Sequence, residues 1–206
     1  MTNAAPHTYS TFDGHRRIAS GSLQSNALAF KRALEAGAAG PVLVFDDGTG
    51  RTIDLDTSGT EAAVLARTAE RAAQLESAAQ PPGENDDAAD IAGPRGRGRP
   101  KLGVVSREVT LLPRHWEWLA AQPGGASVAL RKLVEQARRD NAGKDRSRLA
   151  SERAYHFMVA MAGDLPGFEE AARALFAGDV AGFAQQIAAW PVDVREHALR
   201  LADSNA

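Results

Sequence analysis

Arg95-Gly96-Arg97-Gly98-Arg99-Pro100-Lys101 opens the stretch on which the reading of this chain turns, and the stretch continues without interruption to Arg139. After the basic arm comes an extended run from Gly103 to Leu112, in which Val105, Val109 and Leu111 alternate with Ser106, Glu108 and Thr110. That period of two is the pattern of a half-buried strand. Pro113 suits the first turn of a helix, where its missing N–H costs nothing, and Trp116, Leu119 and Ala120 follow at i, i+3, i+4. Pro123-Gly124-Gly125 breaks that helix. Ser127 is a candidate N-cap for the next, which carries Leu130, Leu133, Val134 and Ala137 on one face. Trp116 is expected to be core.

Outward from this stretch the charge changes sign. Residues 95–148 hold 13 Lys/Arg against 5 Asp/Glu, whereas the remainder holds 11 against 21, so a formal net charge of -2 conceals a basic module between acidic flanks. Such a distribution points to a polyanionic partner. The chain has 206 residues, enough for one or two modest domains, and its 44% hydrophobic content supports a real core. It has no cysteine, which excludes disulfides and cysteine-ligated metal centres. No apolar run approaches the roughly 20 residues that span a bilayer, and no secretory leader is recognisable, so a cytoplasmic, nucleoid location is expected.

Residues 8–77 read as a small α+β unit. Asp13-Gly14 between two extended runs predicts a hairpin. Ser22 caps a helix with Leu23, Ala27, Phe30 and Leu34 on one face, and Val42 to Asp46 and Thr52 to Asp56 form a second hairpin around Asp47-Gly48-Thr49-Gly50. The order is ββαββ, with a further helix from Thr60. Asp46, Asp47, Asp54 and Asp56 could be imagined around a hard cation, but the glycines already explain a turn. Residues 78–94, with Pro81-Pro82-Gly83 and Glu84, Asp86, Asp87 and Asp90, predict a disordered acidic linker. Residues 145–204 predict a bundle of four short amphipathic helices. His156 and His197 read as ordinary histidines, and the sequence calls for no cofactor. No nucleophile motif or paired acid and base is present, and Gly93-Pro94-Arg95-Gly96 lacks the Gly-Lys-Ser/Thr ending of a phosphate loop, so an enzyme is not expected.

Three resemblances add to this reading. Arg97-Gly98-Arg99-Pro100, with Arg95 before and Lys101 after, resembles the AT-hook, which implies an arm lying in the narrow minor groove of A·T-rich DNA. Residues 102–140 resemble the ribbon-helix-helix family of bacterial DNA-binding proteins on Glu108-Val109-Thr110-Leu111-Leu112-Pro113, Trp116 to Leu119, the Gly125-Ala126-Ser127 turn and Leu130 to Ala137. That resemblance implies a homodimer whose paired strands enter the major groove. Ser106, Glu108 and Thr110 would face bases, and the amides of Gly125, Ala126 and Ser127 would face a phosphate. The sequence departs from the family pattern at Glu108, an acidic groove residue, at Arg107, which falls on the apolar parity, and at Leu111, where the family often has a polar reader. The whole chain also resembles an uncharacterised bacterial family, a domain of unknown function, on Gly14 to Gly21, Arg97 to Lys101 and Ala162 to Phe168.

The expectation is an α+β protein: a ββαββ unit, an acidic linker, an arm at 95–101, a ribbon-helix-helix-like unit at 102–140 and a helical bundle. Its expected role is DNA binding as a regulator or nucleoid factor. The alternative is a protein–protein adaptor for which the basic stretch is a tether.

Overall fold

The computed structural model describes residues 7–38, 40–79 and 107–204. The arm, Ser106 and most of the acidic linker therefore lie outside the described residues. The described elements run β1 (Tyr9–Asp13), β2 (Arg16–Gly21), α1 (Leu23–Glu35), β3 (Val42–Asp46), β4 (Arg51–Thr52), α2 (Glu61–Ala79), α3 (Pro113–Ala120), α4 (Gly125–Ala162), α5 (Phe168–Ala177), α6 (Val180–Gln186) and α7 (Val192–Ala202). The four strands form one antiparallel sheet in the order β2-β1-β3-β4. The chain divides into two compact units, Met1–Gln74 with Asp140–Ala206, and Leu75–Arg139.

In the first unit β1 is central, and its alternation builds the two faces of the sheet. Thr11 points to α1, where its hydroxyl donates to Asn26 Oδ1 at 2.7 Å. Asn26 Nδ2 in turn donates to the Tyr9 and Ser22 carbonyls. Phe12 points the other way, onto the C-terminal helices. Phe45 is paired with Ser10 and therefore shares that face. The rings of Phe12, Phe45 and Phe157 of α4 meet at centroid separations of 4.9 to 5.9 Å. Ile187, Trp190, Val194, Ala198 and Leu201 continue the same core. The result is three layers: α1, the sheet, and the C-terminal helices.

The first hairpin turns at Gly14-His15, one residue later than expected, because Asp13 is itself paired with Arg16. Gly14 takes the positive φ of 54° that the two-residue turn demands. A bulge falls opposite Thr11/Phe12. Ser22 caps α1 as expected, accepting from the Ser25 amide. β4 is two residues long rather than five. Beyond it, Arg71 binds the Asp54 carbonyl, and Arg67 binds the Asp56 carbonyl and pairs with its carboxylate, so side chains of α2 take the place of a strand partner.

Two expected boundaries do not hold. Residues 8–77 and 145–204 are not separate domains, because both supply side chains to one core. The second and third helices after Pro113 are one continuous 38-residue helix, α4. No proline interrupts residues 125–162, and the glycine at 143 costs only about 1 kcal/mol relative to alanine. Ion pairs of Glu135 with Arg138 and Arg139, and of Arg148 with Asp145 and Glu152, support the exposed turns.

Because the core is shared, Phe157→Ala is expected to destabilise the protein by about 3–5 kcal/mol. Urea unfolding followed by circular dichroism and by Trp190 fluorescence should report sheet and C-terminal helices lost in one transition. A fragment of residues 8–77 should remain unfolded.

Candidate nucleic-acid interface and a buried ionic cluster

The second unit begins, among the described residues, at Arg107. Of the expected strand at 103–112, the described residues 107–112 are not paired into a sheet. Glu108 and Thr110 are exposed in this segment. Leu112 precedes α3, with Pro113 at its start as expected. The turn that follows is built by Gly124 and Gly125, at φ 89° and 74°. A Cβ on Gly124 would press on Val128 at 3.2 Å, so the turn needs glycine there for both its conformation and its space.

Helix α4 begins at Gly125, and Ser127 is a first-turn residue rather than the N-cap. The reason is local: the Gly125 amide donates to the Gln122 carbonyl at 2.9 Å, and the helix starts three residues earlier than a Ser127 cap would start it. That bond removes Gly125 from the expected trio of phosphate-facing amides. Ala126 and Ser127 keep first-turn amides that no intrahelical carbonyl can reach.

Within residues 107–139 only Leu119 and Ala129 are buried. The apolar positions on which the sequence pattern rests are open: Val109 is 51% exposed, Leu112 51%, Trp116 41%, Leu133 48% and Val134 57%. Trp116 is therefore not core in the single chain, contrary to expectation, and Trp118 is also exposed. Val109, Leu130 and Val134 floor an open groove of about 1140 Å³. Arg107, Arg131, Lys132 and Arg139 stand around it, with Glu135 the acidic residue of its lining.

In the first unit the fold assembles a cluster that sequence reading missed. Asp47, in the turn after β3, is buried, as are Ser10 of β1 and His197 of α7. The Asp47 carboxylate accepts from the Ser10 hydroxyl at 3.2 Å and from Arg200 at 3.0 Å, both on Oδ2. Arg200 also reaches His197 Nδ1 at 2.9 Å. A guanidinium only donates, so Nδ1 is the acceptor and the ring proton sits on Nε2, facing Asp47. His197 Nε2 and Asp47 Oδ1 lie 3.3 Å apart, yet neither has a well-aligned hydrogen bond. Burial pushes the His197 imidazolium pKa down, against the pull of Asp47. Burial would raise the Asp47 carboxyl, but His197 and Arg200 outweigh it and hold it down at about 2. The signal in the sequence was faint: His197 and Arg200 interrupt the apolar stripe Val194, Ala198, Leu201, and Asp47 resembled any turn aspartate.

The other residues read with Asp47 as a metal set are dispersed into local roles. Asp46 accepts from the Gly48 amide and pairs with His7, and Asp56 accepts from Ser58. Among the described residues no group of three or more His, Cys, Asp or Glu is placed to hold a metal ion. No described helix is long and apolar enough to cross a membrane. His156 donates from Nδ1 to the Thr49 carbonyl at 3.0 Å and accepts from Arg51 at 2.9 Å, fastening the second hairpin to α4.

The fold is thus a mixed one, a small antiparallel sheet with seven described helices. The chain belongs to the bacterial family described as "Uncharacterized protein conserved in bacteria (DUF2239)", which matches residues 8–202. No curated protein and no solved structure matches it.

Asp47→Asn is expected to lower stability at neutral pH by about 1–3 kcal/mol, since buried donors lose a charged acceptor. The native carboxyl is depressed, so its contribution is present above the ordinary value of 3.8 and is lost as pH falls toward about 2. Denaturant titrations between pH 5 and pH 2 should therefore show a shallower acid limb in the variant.

Proposed function

We propose that this protein binds DNA as a dimer, through residues 95–139, as a regulator or nucleoid-associated factor. The observation that carries the reading is the second unit's uncovered apolar face. A segment with two buried residues among 107–139 does not bury enough to hold its own fold. A second copy covering Val109, Leu112, Leu133 and Val134 would supply that burial, and pairing of two 107–112 segments would give each the ladder it lacks. This is the arrangement that the ribbon-helix-helix resemblance implies.

The rest of the reading follows from charge. Arg107, Arg131, Lys132 and Arg139 lie within the same unit, next in the chain to Arg95, Arg97, Arg99 and Lys101. In the AT-hook reading, Arg97 and Arg99 enter the minor groove while Gly98 and Pro100 keep the backbone thin and extended. Ala126 and Ser127 offer first-turn amides to a phosphate. Ser106 and Thr110 face bases, and Glu108 beside them penalises close phosphates, so this ribbon favours groove contacts over backbone ones. The adaptor alternative draws on the C-terminal helices, where Phe176 is exposed beside Tyr155 and Val180 is exposed as well.

Fluorescence anisotropy with A·T-rich and G·C-rich duplexes tests the proposal. Preferential A·T binding that weakens steeply with salt is expected. Arg97→Ala with Arg99→Ala should weaken it and reduce the salt slope by about two. Absence of binding at low salt by a folded protein overturns the DNA reading. Sedimentation of Val134→Asp tests the dimer separately: the expected outcome is a monomer with intact sheet and C-terminal helices, and an unchanged sedimentation coefficient refutes this interface.

A further inference from the structure

The buried ionic cluster stands apart from the DNA reading. It joins four residues from three places in the sequence, and its carboxylate is spent on internal partners. Its geometry has an unusual asymmetry. His197 is fully buried, whereas the side chain of Arg200, which shares Asp47 with it, is 40% exposed. One partner of the carboxylate is locked in the core, and the other can swing into water.

We propose that Ser10, Asp47, His197 and Arg200 form an acid-released clasp on the Arg200 side chain, closed while the His197 imidazole is uncharged and opened by its protonation, which frees Arg200 to solvent. In the closed state Nδ1 accepts from Arg200 at 2.9 Å. A proton arriving at Nδ1 turns the acceptor into a donor and sets an imidazolium against a guanidinium. Two positive charges at that distance and out of water repel strongly. Asp47 already faces Nε2 at 3.3 Å, so the imidazolium keeps Asp47 and Arg200 departs to solvent. The side chain of Arg200 is the one free to move. The surroundings do not offset this. Arg17 of β2 adds repulsion at His197. Arg153 of α4 stands near both Arg200 and Asp47, while its own donors are held by the Leu201 and Asp203 carbonyls. Phe12 and Phe157 pack on the ring at 5.2 and 4.5 Å and exclude water from it.

Release removes the Arg200 bonds to Asp47 and Ser10, while the imidazolium facing Asp47 and the Asp193 carboxylate on the Arg17 amide, at 2.8 Å, still hold α7 on the sheet. The sign follows from the depressed histidine: the stabilisation is complete above the ordinary value of 6.5 and is lost as pH falls below it. The clasp therefore opens at a pH below the ordinary histidine value of 6.5.

The test is an NMR titration of the full chain from pH 8 to pH 4.5, following the five imidazoles and the arginine side-chain N–H groups. The His197 signals are assigned by their loss in His197→Gln. At pH 8 the ring nitrogens should report the Nε2–H tautomer. Protonation of His197 should coincide with loss of the protected Arg200 signal. In Arg200→Gln, which changes the partly exposed member of the cluster, the His197 midpoint should move upward, because the opposing cation is gone. An unmoved midpoint in Arg200→Gln overturns the proposal. So does an Arg200 signal that persists through the His197 titration, or a His197 that takes up its proton only on global unfolding.

Discussion

The aromatic contact between Phe12, Phe45 and Phe157 is the constraint on which the first unit depends. Strands from the first fifty residues expose two phenyl rings on one face of the sheet, and a helix more than a hundred residues later supplies the third. At centroid separations of 4.9 to 5.9 Å the rings adopt the edge-on and tilted arrangements that aromatic quadrupoles favour. His197 fills the remaining side of the same cluster. Without that helix the sheet would present Phe12 and Phe45 to water, and without the sheet the C-terminal helices would lose the floor of their core. This mutual need explains why the two ends of the chain fold together although a long intervening segment separates them.

Burying polar groups beside that core has a cost that the local arrangement offsets. Thr11 and Asn26 satisfy one another and the backbone on the α1 face. On the other face Ser10, Asp47, His197 and Arg200 do the same less completely, leaving one facing pair of atoms poorly aligned. A partly satisfied buried network is where a fold responds most to a change in protonation. Gly50 makes the packing of the second hairpin possible, since it has a positive φ and a Cβ there would collide with the Arg153 backbone of α4.

The second unit follows the opposite principle. Its apolar stripe is regular, but a helical hairpin with a short extended lead cannot enclose that stripe by itself. Its long helix is held by local terms, namely good helix formers and ion pairs between neighbouring turns. Val109, Leu112, Leu133 and Val134 are exposed in this unit, and Arg107, Arg131, Lys132 and Arg139 stand beside them.

Legibility in the sequence divided along the same line. The hairpin at 9–21, the Ser22 cap, the strand at 42–46, Pro113 at the start of α3 and the Gly178-Asp179 stop and restart were readable because each rests on neighbours within a few residues: turn glycines, capping hydroxyls and fixed proline φ. The two ends of α4 were harder, since Pro123-Gly124-Gly125 marks a break but not where the amides are next satisfied. The expected break between the units at 102–140 and 145–204 is a helix by continuity. What no local pattern could supply was partnership. That Phe12 meets Phe157, that a turn aspartate meets a histidine 150 residues away, and that Trp116 stays open in a single chain are all decided by which surfaces come together. Periodicity tells which face of an element is apolar, and only the tertiary structure determines what covers it.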